Sequence, residues 1–259
     1  SGVITIGDPA DYLCKNAECS AFLKSLPVRH ILLKDTQILK SGTLLSEQRP
    51  DFCKYKPSDN ETARQGSCAG VHGRPTGGGD WYFSLNGQVF PHIPVAGGQG
   101  EIWRLTTGSA TVTYDLGLRD DASGRDMVVQ VLSVDGVAVQ PDADATPAEM
   151  MSMGGAKIAS VPCPGDLPGK LATKPLCATR ILMLPSSRVE LWVAHRDALG
   201  RLAPAGAKAS ATLYTAGYKT GPAGDAWPAI DLARVSFRGT AVADAPQVLA
   251  VTGDAQATL

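Results

Sequence analysis

Histidine is scarce in this 259-residue chain, which has only His30, His72, His92 and His195. No two of them form a His-x-His pair, and none adjoins a cysteine. Runs of like charge are missing as well. The formal net charge is -1, with 24 Lys and Arg against 25 Asp and Glu. Binding nucleic acid needs a basic stripe to neutralise phosphates, and no such stripe exists here. No apolar run reaches the roughly 18 residues that span a bilayer, and no signal peptide heads the sequence. A Gly-x-Ser-x-Gly elbow is absent, so Ser186 and Ser187 read as turn residues rather than nucleophiles. Gly77-Gly78-Gly79 and Gly97-Gly98-Gln99-Gly100 lack the Lys-Ser/Thr of a phosphate-binding loop and read as flexible loops. Long helical periodicity is missing too.

What remains is strands and turns. Glycine (28) and proline (18) are frequent, and both break regular elements. His30 to Leu39 reads as a buried strand. Trp81 to Pro91 reads as two strands around Asn86-Gly87, the strongest short hairpin signal because both residues tolerate positive φ. Glu101 to Leu105 follows. Apolar residues at 110, 112, 114, 116 and 118 alternate with Thr111, Thr113, Asp115 and Gly117, the period of a half-buried strand. Met127–Val134, Ile181–Leu184, Val189–Val193 and Ala211–Tyr214 complete the set. Residues 10–27 read as loop with a short helix near Glu18–Lys24, and Pro147–Met153 as a helical turn or two. Residues 41–80 and 140–178 read as two long insertions. Eight to ten short strands predict an all-β sandwich. Trp81, Tyr82, Trp103, Trp192 and Trp227 read as core packing.

Six cysteines fall in three close couples: Cys14 and Cys19, Cys53 and Cys68, Cys163 and Cys177. Six cysteines allow 15 connectivities, so sequence cannot fix the pairing. Nearest-neighbour pairing would close short loops at small entropic cost. Zinc knuckles or free thiols are the alternatives, but only Cys14 and Cys19 have a knuckle-like spacing, and no second knuckle follows. Disulfides imply an oxidising compartment, periplasmic or secreted.

Four segments in this order resemble the multicopper oxidases, the group of laccases, ascorbate oxidase and bacterial cuprous oxidases. They are Ile31-Leu32-Leu33-Lys34-Asp35-Thr36-Gln37; Leu85-Asn86-Gly87-Gln88 with Pro91 and Glu101-Ile102-Trp103-Arg104-Leu105; Leu132-Ser133-Val134-Asp135-Gly136; and Leu184-Pro185-Ser186-Ser187-Arg188-Val189-Glu190-Leu191. The resemblance runs from about residue 1 to 238 and implies the family's second domain, a cupredoxin-like Greek-key β-sandwich with two disulfide-held insertions. Residues 1–27 would then be the end strand of a preceding cupredoxin domain and a linker. Residues 28–238 would be the domain itself, and 239–259 a linker onward. Ser1 to Pro9 reads as a strand and a turn, as if the chain began partway through a longer protein.

The family's copper ligands lie on His-x-His, His-Pro-x-His-x-His and His-Cys-His motifs. None of these occurs here, so no copper position carries over and no catalytic residue is expected. A blue-copper site needs two His, a thiolate and a weak axial ligand. Copper is implied for the full-length oxidase rather than for this chain, with flanking cupredoxin domains as its partners. Such a domain is expected to hold the outer domains apart and to line the substrate cleft. The alternative is a copper-free cupredoxin-like binding or scaffold module of the cell envelope. A weaker candidate is the Met150, Met151 and Met153 cluster, since thioethers can hold Cu(I), although Met more often fills gaps in packing. His92 and His195 are weaker still as metal ligands, because ligands come in sets.

Overall fold

The structure, a computed structural model, describes residues 7–39, 79–95, 99–110, 112–138, 152–153, 156–163, 175–203, 209–219 and 226–238. Two helices lead, α1 (Ala10–Leu13) and α2 (Ala17–Ser25). Asn16 caps α2, its side chain accepting the Cys19 N–H at 3.2 Å, and Lys24 stands at the negative end of the helix.

The strands follow in order: β1 (Val28–Leu39), β2 (Gly79–Leu85), β3 (Gln88–Val89), β4 (His92–Val95), β5 (Glu101–Thr107), β6 (Tyr114–Asp120), β7 (Val129–Val134) and β8 (Val137–Ala138). Then come β9 (Ser152–Met153), β10 (Ala156–Val161), β11 (Leu176–Met183), β12 (Arg188–Val193), β13 (Ser210–Thr215), β14 (Tyr218–Lys219), β15 (Ala226–Trp227) and β16 (Ile230–Phe237). The main sheet runs β3-β2-β1-β5-β12-β7-β11-β6-β13-β16-β4. Pairing is antiparallel except for β1 with β5 and β16 with β4. The path is not sequential, and the sheet curls until β16 meets β2. It thereby closes over one core, as expected for a cupredoxin-like Greek-key sandwich. Inward residues of both halves meet in that core: Ile31, Phe83, Trp103 and Leu191 from one half, Leu116, Ile181, Leu213 and Val235 from the other.

A polar tie fastens the two halves. Arg29 of β1 makes a two-pronged bond to Glu101 of β5, Nε to Oε2 at 2.7 Å and Nη2 to Oε1 at 2.9 Å. The same Nη2 donates to the Pro94 carbonyl of β4, at the other end of the sheet path, at 2.9 Å. Trp103 Nε1 also donates to Glu101 Oε2, at 3.2 Å. Glu101 is 1% exposed, and a buried carboxylate persists only when paired in this way.

Turn chemistry accounts for the hairpins. Asn86 and Gly87 have φ of 52° and 83°, and Asp135 and Gly136 have 49° and 82°, the doubly positive pattern of the tight hairpin turn. Asn86 also reaches sideways to β1, accepting the Leu32 N–H at 2.8 Å and donating to the His30 carbonyl at 2.8 Å. Gly100 is obligatory: at φ +78° an added Cβ would stand 2.1 Å from the Val193 carbonyl oxygen.

Several sequence expectations need correction. The alternation from residue 110 becomes a strand only at Tyr114. Before it, the Ser109 hydroxyl accepts the Val112 N–H at 2.7 Å, a local bond that diverts the backbone from the ladder. Of the helical turn expected over Pro147–Met153, only the last two residues are described, and they form β9 against β10. The 140–178 insertion therefore contributes β9, β10 and the start of β11 to the sheet. Its cysteines are joined, Cys163 to Cys177, as are Cys14 and Cys19. Cys53 and Cys68 lie outside the described residues, as do Ser1–Ile6, most of the 41–80 insertion and the 239–259 tail. Ile230–Phe237, where the sequence reading places no strand, is a central one.

Candidate functional site

Along β12, Val189, Leu191 and Val193 face the core, so Arg188, Glu190 and Trp192 face outward. The same alternation turns Ile102 and Arg104 of β5 outward. Register then sets one polar row across four strands: His30 of β1 opposite Arg104, Arg104 opposite Glu190, and Glu190 opposite Ser133 of β7. Arg104 Nε stands 2.7 Å from Glu190 Oε1, a charge contact rather than an aligned hydrogen bond. The Ser133 hydroxyl donates to Glu190 Oε2 at 2.9 Å.

The N-terminal segment lies across this face as a strap. Ala10, Leu13, Cys19, Leu23 and Leu26 bury against Ile102, Leu132, Trp192 and Ala194, a second apolar cluster on the outer side of the sheet. Phe22 meets Trp192 edge-on at 5.5 Å. This cover explains why every residue of β7 is buried and why Trp192 is 0% exposed on a face that otherwise meets water. The Cys14–Cys19 disulfide ties α1 to α2. Two polar contacts join strap to row: Arg104 Nη2 donates to the Gly7 carbonyl at 3.2 Å, and the Tyr12 hydroxyl lies 3.5 Å from Glu190 Oε2.

The row perturbs its own titrations. Burial, and then the charge of Glu190, pushes the Tyr12 phenol up to about 12. Burial and then the Arg104 guanidinium hold the His30 imidazole below its ordinary value, while Glu190 pulls the other way. Tyr114, in the core beside Phe83, is raised well above its ordinary value by burial and then by the charge of Asp35. Its hydroxyl has no hydrogen-bond partner among the described residues.

The opposite half of the sheet carries a ladder of paired charges on its outer face. Arg180 pairs with Asp115, Arg119 with Asp231 at 3.1 Å, and the Tyr214 hydroxyl donates to Asp126 at 2.6 Å. The Tyr214 ring lies against Gly117, where a Cβ would stand 2.7 Å from it. Partners compensate each other here, as on a solvated sheet face.

The described histidine candidates for a metal do not come together. His92 Nε2 lies 2.8 Å from the Ser236 hydroxyl, and His195 Nδ1 lies 3.1 Å from the Ala203 carbonyl. They and His30 occupy three separate places, while His72 lies outside the described residues. Among the described residues, no three His, Cys, Asp or Glu side chains group so as to hold a metal ion. The described cysteines are consumed in disulfides, so they supply no thiolate, and the described residues do not fit copper. Met153 lies on β9, and Met150 and Met151 lie outside the described residues. No helix among the described residues is long and apolar enough to cross a membrane.

Sequence reasoning passed over Tyr12, Arg104, Glu190 and Ser133 as a group. The signal was a single Arg and a single Glu, each set within an apolar strand.

No family model matches the chain, and no curated protein matches it. Among solved structures it is similar to the 2F4 variant of the McoA multicopper oxidase from Aquifex aeolicus, at 16% identity and TM-score 0.47 over 85% of this chain and 34% of that one. A multicopper oxidase from Campylobacter jejuni, a metallo-oxidase, is 16% identical with TM-score 0.42, over 86% and 32%. A laccase-like multicopper oxidase from Ochrobactrum sp. is 14% identical with TM-score 0.40, over 84% and 32%. The chain spans about a third of the length of each of these structures.

Proposed function

We propose that this chain is the copper-free middle domain of a laccase-like multicopper oxidase. The whole protein would oxidise a phenol or a reduced metal ion and reduce dioxygen to water. This domain's part is architectural, holding its neighbours and offering surface to the substrate cleft. The observation that supports the reading is convergence. The four segments that carry the family resemblance lie on six adjacent strands, β3-β2-β1-β5-β12-β7, and the turns that adjoin them, and they bond to one another. Asn86 of the second segment bonds β1, which holds the first. Asp135 of the third accepts the Arg188 N–H of the fourth at 2.8 Å. Arg104 of the second pairs with Glu190 of the fourth. Motifs scattered over 160 residues of sequence thus form a single structural unit.

On this reading a cupredoxin domain with His-x-His precedes the strap and one with His-Cys-His follows the tail. The two disulfides suit a periplasmic or secreted protein. The test is metal analysis, a visible spectrum and a phenol-oxidation assay on this chain beside the product of its full reading frame. Copper, a blue band and turnover in the longer protein, all absent from this chain, support the proposal. A full frame without either histidine motif overturns it and leaves an envelope scaffold module.

A further inference from the structure

The Cys14–Cys19 disulfide joins the two helices of the strap, and those helices are held to the sheet unequally. We propose that this disulfide is a redox-sensitive fastening: an external dithiol opens it through Cys14, and α1 then loosens from the outer face of the sheet.

The inequality comes from what each helix touches. α2 lays Leu23 in the outer apolar cluster and Phe22 against Trp192. It runs on through buried Leu26 and through Pro27, whose carbonyl accepts the Ile102 N–H at 2.8 Å, directly into β1. α1 has four residues, too few for a helix to persist by itself. Its buried residues are Ala10 and Leu13. Asp11 pairs with Lys24 at 2.8 Å, but both side chains are largely exposed, and such a pair is worth little. The Tyr12 contact with Glu190 and the Arg104 bond to Gly7 are long, 3.5 and 3.2 Å. Loosening α1 withdraws Ala10 and Leu13 from the cluster while α2 keeps its place. The two sulfurs also differ. Cys19 is 0% exposed, whereas Cys14 is half-buried beside exposed Lys15. An attacking thiolate therefore reaches Cys14. It bonds to Cys14 Sγ, the disulfide bond breaks, and Cys19 leaves as a thiolate that takes up a proton. The second thiol of the dithiol then displaces Cys14 from the mixed disulfide. The reductant departs as a disulfide, and the protein has gained two electrons and two protons. The other described disulfide has no such consequence. Cys177 lies within β11, opposite Val161 of β10 and Gln130 of β7, so both ladders remain when Cys163 is released. The strap link spans a sequence separation of 5. By chain entropy a link this short holds down the opening of the joined segment by up to roughly 30-fold, which reduction returns. The fastening is made by this chain's own residues and does not rest on the oxidase reading.

The test is amide hydrogen exchange of the full 259-residue chain, oxidised and after mild treatment with dithiothreitol. Differential alkylation and mass mapping of the six cysteines identify which bonds have opened. Amides of Asp11 to Leu13, bonded to the Asp8 and Pro9 carbonyls, should exchange up to roughly 30-fold faster once Cys14–Cys19 is reduced, while β7 and β11 stay protected. Cys14→Ser with Cys19→Ala should reproduce that rate without reductant and show no further change when the dithiol is added. A monothiol in place of the dithiol should be trapped on Cys14. Unchanged exchange in the reduced protein overturns the proposal, as does a bond that yields only when the whole chain unfolds. Loss of protection in β7 and β11 along with the strap, or a strap that still responds to the dithiol in the double variant, overturns it too. A mixed disulfide on Cys19 overturns the route through Cys14.

Discussion

Arg29→Met removes the cation from a bidentate pair whose acid, Glu101, is 1% exposed. The change also leaves the Pro94 carbonyl without the Arg29 bond that ties β4 to β1. Breaking a buried pair by removing one partner costs about 3–5 kcal/mol, because the remaining charge cannot return to water. Trp103 Nε1 still donates to Glu101, which places the expected loss at the lower end, near 3 kcal/mol. Glu101→Gln should cost a comparable amount, since it leaves the guanidinium facing a neutral amide. Arg29→Met with Glu101→Gln together should cost less than the sum of the singles, with a coupling of about 1–3 kcal/mol. Urea unfolding followed by tryptophan fluorescence reads this directly. For a slope near 3 kcal/mol/M, the single variants lose roughly 1 M in midpoint. Single losses below about 1 kcal/mol, or additive singles, would refute the reasoning. The pair would then behave as a solvated surface bridge, and the closure of the sandwich would rest on apolar contact alone.

Tyr114→Phe should leave stability unchanged or raise it, because the lost hydroxyl is buried without a partner among the described residues; a fall of about 2 kcal/mol or more in the same denaturation would show a bond to that oxygen. Trp192→Ala should cost about 3–5 kcal/mol, since it removes the floor under Phe22 and the 2.7 Å bond from Nε1 to the Gln99 carbonyl, and limited proteolysis should then cut within residues 7–26. Gly100→Ala should destabilise severely, as the methyl meets the Val193 carbonyl, with soluble yield and melting temperature as the measure. The Tyr12 phenol, raised from 10.0 to about 12, favours the closed strap in its protonated form. That contribution is complete below pH 10 and is lost as pH rises through 12. Tyr114 and Tyr214 are raised as well, so phenolate absorbance should show several late-titrating tyrosines, and Tyr12→Phe should remove the amplitude of one of them. Breaking Cys163–Cys177 by Cys163→Ala with Cys177→Ala should cost about 3 kcal/mol for a loop of this length, checked by the shift in urea midpoint.

Much of the architecture can be read from local sequence because its cause is local. Asn86-Gly87 and Asp135-Gly136 determine hairpin turns, since their backbones enter the left-handed region at little cost. Alternation along Val189–Val193 determines a strand with two unlike faces. The close cysteine couples suggest short loops, and two of them close that way. The sequence also determines that no His-x-His or His-Cys-His motif is present. Other features were decided only when distant segments met. Ile230–Phe237 is a strand because β13 and β4 offer it ladders on both sides. Residues 152–161 join the sheet because β11 offers an edge to β10, which in turn pairs with β9. The strap is held by Trp192 and Leu132, more than 100 residues away, so its own sequence reads as loop with one short helix and does not show where it docks. The row His30–Arg104–Glu190–Ser133 exists only through register between strands remote in sequence. Register is a property of the assembled sheet, set by which faces find a core, and no window of the sequence contains it.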